Sequence, residues 1–137
     1  MFELTEAQAA KLARGWVWCA GHAYQQPHPK TGNFDPVTFA RVAYVDADGE
    51  PMAQRGIGIG GNPHPFIHDH ATANGLPSTC RAMWDIPLLY SSPPRGDSRE
   101  WSVGYDWEDM GSIVTVGRGE TETAAWLAAC YAAPEPA

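Results

Sequence analysis

The stretch Trp101-Ser102-Val103-Gly104-Tyr105-Asp106-Trp107 alternates large apolar residues with small or polar ones without a break. A period of two places Trp101, Val103, Tyr105 and Trp107 on one side of an extended chain and Ser102, Gly104 and Asp106 on the other. That is the pattern of a half-buried antiparallel strand. A turn at Asp109 to Gly111 and a second extended run from Ser112 to Gly117 complete a predicted hairpin. Glu120 to Ala133 then reads as a helix, with Thr121 as cap and Glu122 in its first turn. From Ala124 to Ala133 this helix has no charged residue. A helix that is apolar all round is covered on more than one side, either within its own fold or by another subunit. Pro134 stops it, and residues 134–137 read as a loose tail.

Working outward, the N-terminus carries a second helix signal. Thr5 followed by Gln8 is a capping box, Leu4 and Ala9 are placed as a hydrophobic staple, and Gly15 fits the position after the last turn. The predicted helix is Glu6 to Arg14. Trp16 to Tyr24 reads as a strand apolar on both faces, and Gln25 to Pro36 as a loop rich in proline. Val37 to Val45 and Met52 to Ile59 read as strands joined by the turn Asp46-Ala47-Asp48-Gly49. A short helix is predicted from about Pro65 to Asn74, closed by Gly75, and an edge strand from Cys80 to Tyr90. The sum is an α+β fold. It has a mostly antiparallel sheet of five to six strands, with an N-terminal and a C-terminal helix packed on it, in a single domain over residues 1–137.

Composition narrows the classes of function. With 137 residues the chain is long enough for one core, and six tryptophans predict a core built on aromatic surface. The net charge of −7, with nine basic residues scattered along the chain, disfavours nucleic acid as a partner and suits a basic protein surface instead. Three cysteines at wide spacing, with no C-x-x-C pair, predict free thiols in a reducing, cytoplasmic setting. No basic segment precedes a long apolar run at the N-terminus, and no apolar stretch reaches the ~18 residues that span a bilayer.

Several groups of residues are candidates for chemistry. His64 and His68 lie four apart, so on a helix their imidazoles share a face and can converge on zinc or another transition metal. Cys80, His22 or His28 would supply a third ligand. The run Arg55-Gly56-Ile57-Gly58-Ile59-Gly60-Gly61 matches G-x-G-x-x-G formally, but lacks the strand before it and the helix after it that a dinucleotide fold requires. Its backbone N–H groups, with the charge of Arg55 and the aromatic surfaces of Trp18 and Tyr24, would instead cradle a nucleotide or cyclic nucleotide. Asp106, Glu108 and Asp109 read as a solvated turn rather than as an acid–base pair. Trp126, Ala129 and Cys130, on the uncharged helix, are the candidate seam of a homodimer. No nucleophile motif is present.

The strand, strand, helix order of Trp101 to Ala132, ending in Thr121-Glu122-Thr123-Ala124-Ala125, resembles the ending of some small phage-encoded accessory proteins. The resemblance implies a small binding or inhibitory protein rather than an enzyme. The expectation from the sequence is therefore a non-catalytic protein acting on a protein partner, in an accessory or anti-defence role. A nucleotide-sequestering protein and a metal-dependent enzyme centred on His64 and His68 are the alternatives.

Overall fold

A computed structural model describes residues 4–26, 39–59, 63–107 and 112–134 of the chain. Their order is α1 (Glu6–Gly15), β1 (Ala23–Gln25), β2 (Ala40–Arg41), β3 (Tyr44–Val45), β4 (Pro51–Gln54), β5 (Ile57–Gly58), β6 (His64–Pro65), α2 (His70–Ala73), α3 (Leu76–Trp84), β7 (Tyr90–Ser92), β8 (Trp101–Trp107), β9 (Ser112–Gly119) and α4 (Glu122–Ala132). The fold is α+β, as expected, and among the described residues the strand pairs are antiparallel. The single sheet of five to six strands is not what forms. The strands divide into three sheets of three, in the orders β2-β1-β6, β3-β4-β5 and β7-β8-β9. The chain makes two compact units, Met1–Gly75 and Leu76–Ala137. Among the described residues, no helix is long and apolar enough to cross a membrane.

In the first unit α1 begins as its sequence dictates. The Thr5 hydroxyl accepts from the Gln8 N–H at 3.1 Å, and Gln8 Oε1 accepts from the Thr5 N–H at 3.0 Å. Leu12 and Ala13 face inward and join Trp16, Ala23, Tyr24, Val42 and Ile67 in the core. The strand expected over Trp16 to Tyr24 shrinks to β1. Gly21, with φ of +90°, and the bond from the His22 N–H to the Cys19 carbonyl turn the chain just before it. The turn at Asp46 to Gly49 forms as expected, with Asp46 Oδ1 accepting from the N–H groups of both Asp48 and Glu50. The strand expected over Met52 to Ile59 folds back on itself instead, through a turn at Arg55 and Gly56. The helix expected from Pro65 begins only at His70. Asp69 is its cap, and Pro65 pairs with Tyr24 on an edge strand, where a missing N–H costs nothing.

In the second unit the run expected as an extended strand from Cys80 is helix α3. Pro77, read as the sequel to a helix stop, sits in the first turn of α3, where its missing donor is not needed. The helix ends on Asp85, at φ of +55°. The Ile86 N–H bonds the Arg81 carbonyl and the Asp85 N–H bonds that of Ala82, the paired bonds of a Schellman stop. β8 and β9 pair antiparallel as predicted, with Trp101 opposite Gly119 and Trp107 opposite Ser112, while the turn expected at Asp109 to Gly111 falls outside the described residues. α4 packs on that hairpin and on α3, and the Trp84 indole donates to the Ala129 carbonyl at 2.7 Å.

Candidate functional site

One side-chain network of the first unit joins three elements that lie far apart in sequence. The Arg41 guanidinium forms a two-pronged ion pair with Asp69, Nη2 to Oδ1 at 2.8 Å and Nη1 to Oδ2 at 3.1 Å. Nη1 also donates to the Gly21 carbonyl at 3.0 Å. Asp69 Oδ2 caps α2 by accepting from the Thr72 N–H, and accepts from the Thr72 hydroxyl at 2.8 Å. That hydroxyl in turn accepts from the Ala23 N–H at 2.7 Å. Thr72 is wholly buried, so both capacities of its hydroxyl are used inside the unit. The chain of bonds ties β2, α2 and β1 together. It holds the Asp69 carboxyl well below the usual carboxylate range, first through Arg41 and then through Thr72.

Beside this anchor lies an aromatic cluster, with Phe39 exposed and Phe66 half-buried. Phe39 immediately precedes β2 and Phe66 immediately follows β6, the two strands that flank β1. Their rings stack at 4.8 Å between centroids, with 16° between planes. The Arg41 guanidinium sits 5.3 Å over the Phe39 ring, and His68 meets the edge of Phe66 at 5.4 Å. Phe39, His68 and Arg41 are all exposed, the Arg41 side chain by 49%. Arg41 is thus fixed on one side by a carboxylate and stacked on the other against a ring, with half its surface open to solvent.

A second cluster is buried. His22 Nδ1 accepts from the Trp16 indole N–H at 3.2 Å and from the Cys19 backbone N–H at 3.1 Å, with Trp16 packed edge-on to the ring and Trp18 tilted against it. Two donors aimed at Nδ1 require it to be unprotonated, so the neutral ring carries its proton on Nε2. Burial pushes the His22 pKa down, and the Asp69 carboxylate opposes that shift only in part. A Cβ at Gly75 would lie 2.8 Å from His22 Cε1, so only glycine lets the ring sit here. The arrangement is that of a structural histidine rather than an accessible base.

The residues singled out from sequence are dispersed. His64 lies on β6 and His68 in the turn after it, so they do not share a helix face. The geometry assumed for a metal site at this spacing is therefore corrected. Cys80 is fully buried on α3, in the second unit. Among the described residues no group of three or more His, Cys, Asp or Glu side chains is disposed to hold a metal ion. Arg55 and Gly56 form the exposed turn between β4 and β5, where the Gly56 N–H donates to the Tyr44 hydroxyl at 3.1 Å. Gly58 lies on β5, while Gly60, Gly61 and His28 fall outside the described residues. Tyr24 is buried in its sheet. Trp18 lines a cleft of about 290 Å³ with Arg14, Glu50, Ile59 and Pro63, in which Arg55, Gly56 and Gly58 take no part. Trp126, Ala129 and Cys130 are buried inside the second unit.

Arg41, Asp69 and the two phenylalanines were not legible as a site. Asp69 followed by Thr72 is a local capping signal, but the partner of its charge lies 28 residues away. No family model, curated protein or solved structure matches this chain.

Proposed function

We propose that the chain is a non-catalytic binding protein that engages a protein partner through Phe39, Phe66, Arg41 and His68. The observation that carries this reading is the exposed Phe39 ring, stacked on the half-buried Phe66, with a clamped arginine over it. Aromatic residues and arginine are the residue types enriched at interface centres and among the side chains that dominate binding energy. Here the guanidinium is already immobilised by Asp69, so little side-chain freedom remains to be lost on association. The net charge of −7 adds a long-range preference for a basic partner surface. An accessory or anti-defence role is the biological setting we propose for it.

A photo-crosslinking amino acid at position 39 tests the reading, with Ala47, exposed in the β3–β4 turn, as the control position. The expected result is one discrete protein adduct from position 39, absent from position 47 and lost when Arg41→Ala and Phe66→Ala are added. Identical adduct patterns from both positions, or an adduct indifferent to those two substitutions, would remove the proposal.

A further inference from the structure

The second unit has a sheet with one face covered and one face open. Val103 is fully buried beneath α4, whereas its neighbour Ser102 points the other way. In the register of the sheet Ser92 stands opposite Ser102, and Ser102 stands opposite Arg118. Directly opposed residues share a face, with Cβ atoms about 4.5–5.5 Å apart. Ser92, Ser102 and Arg118 therefore make one row across all three strands, and Thr115 belongs to the next part of the same face. The loop after β7 brings Arg95 and Glu100 to this row. It is shaped by the bond from the Ser98 N–H to the Arg95 carbonyl and by the Glu100 N–H on the Ser98 hydroxyl. Together these residues line a groove of about 230 Å³.

Its chemistry runs against that of the whole molecule. The chain has a net charge of −7 and only nine basic residues, yet two arginines and one carboxylate line this groove. Among the described residues, Arg95 and Arg118 have no carboxylate within ion-pair distance. Arginine presents a planar fork of donors matched to phosphate oxygens, and serine and threonine hydroxyls add donors that turn to meet them. Glu100 accepts hydrogen bonds only, so it calls for hydroxyl groups on the ligand. The volume falls below the roughly 300–1,000 Å³ of sites for drug-sized ligands, which limits the occupant to a compact molecule. We infer that the open face of the β7-β8-β9 sheet binds a small hydroxylated phosphomonoester, a sugar or polyol phosphate. Its phosphate is held by Arg95 and Arg118, and its hydroxyls by Glu100 and Ser102. This site lies in a different unit from the proposed protein-binding cluster, so either can fail without the other.

The test is a titration of the full chain with ribose 5-phosphate, followed by amide chemical shifts, with ribose and inorganic phosphate as separate arms. Shifts should centre on Ser92, Ser102, Thr115 and Arg118, and inorganic phosphate should reach the same amides more weakly. Each guanidinium gives charge-assisted hydrogen bonds to the phosphate, so Arg95→Ala and Arg118→Ala should each weaken ribose 5-phosphate roughly tenfold or more. Both side chains line a solvent-open groove, so neither substitution should disturb folding, and unchanged amide dispersion in the variants checks this. No shift in the groove, ribose binding as tightly as its phosphate, or an affinity unchanged in both arginine variants overturns the inference.

Discussion

His22 shows how one side chain decides the local course of the chain. Its unprotonated Nδ1 gathers the Trp16 indole and the Cys19 amide, and so folds residues 16–22 away from the extended conformation that their alternating pattern suggests. Only two tryptophans, Trp16 and Trp126, are fully buried among those whose side chains are described. Trp18, Trp84 and Trp101 are half-buried, so the core rests on aromatic surface less than their number implies. The His22 ring also makes the first unit sensitive to acid. Burial lowers its proton affinity in the folded state, so the unfolded chain takes up a proton near its ordinary value of 6.5 while the folded ring stays neutral. The stability it contributes is complete above 6.5 and is lost as pH falls through the depressed folded value. His64, also pushed down by burial, acts in the same direction. His22→Asn retains an acceptor near the position of Nδ1 and cannot titrate. Thermal melts from pH 7 to 5 should show a smaller fall in Tm for His22→Asn than for the parent, with the remainder due to His64. His22→Leu strands a buried indole N–H and should cost about 1–3 kcal/mol at pH 7. Equal pH slopes in the parent and the Asn variant would show that this ring is not the sensor.

At the scale of elements, the uncharged run of α4 from Ala124 onward has an explanation inside its own unit. One side lies on β9, so close that a Cβ at Gly117 would fall 2.5 Å from the Ala129 nitrogen and 2.6 Å from the Ala125 carbonyl oxygen. Gly119 meets Ala124 in the same way. Another side meets α3, where the Trp84 indole bonds the Ala129 carbonyl and Arg81 lies over the Trp126 ring. Small residues on both elements allow this approach, and a helix covered on two sides has no place for charge. Gly117→Ala presses a methyl group against backbone that cannot yield, and should cost about 2–3 kcal/mol in chemical denaturation. Gly58→Ala, whose Cβ would meet only the flexible Met52 thioether at 3.9 Å, should stay within about 0.5 kcal/mol. Equal effects from the two would mean that the α4–β9 approach is looser than described. α1, β8, β9 and α4 were legible in sequence because their signals are local: a reciprocal cap, a period of two and a threonine cap. α3 departs from the expected strand because a proline two residues after Gly75 is compatible with both the end of one helix and the start of the next. The Arg41–Asp69 pair left no trace, because nothing at either residue specifies a partner 28 positions away.

Across the whole molecule, the described groups that weaken the fold in acid and the tyrosine most strongly shifted the other way lie in different units. Among the described residues, those with a depressed pKa that weaken the fold in acid lie in Met1–Gly75. His22 and His64 act as pH falls below 6.5, and Asp69, whose folded pKa is depressed by Arg41, acts below its ordinary 3.8. The group most strongly shifted in the other sense is Tyr131, in Leu76–Ala137, which burial pushes up to about 12. The unfolded chain loses that proton near 10, so the stability Tyr131 contributes is present below 10 and disappears between there and about 12. The two units should therefore fail at opposite ends of the pH scale. The tryptophans are placed to report this, since Trp16 and Trp18 belong to the first unit and Trp84, Trp101, Trp107 and Trp126 to the second. Fluorine NMR of protein labelled with 5-fluorotryptophan should show the Trp16 and Trp18 signals collapsing first as pH is lowered. The signals of the second unit should collapse first as pH is raised through 10 to 12. If all six indoles instead lose dispersion together at both extremes, the units unfold as one cooperative body. Each charge would then act on the stability of the entire chain rather than on the unit that contains it.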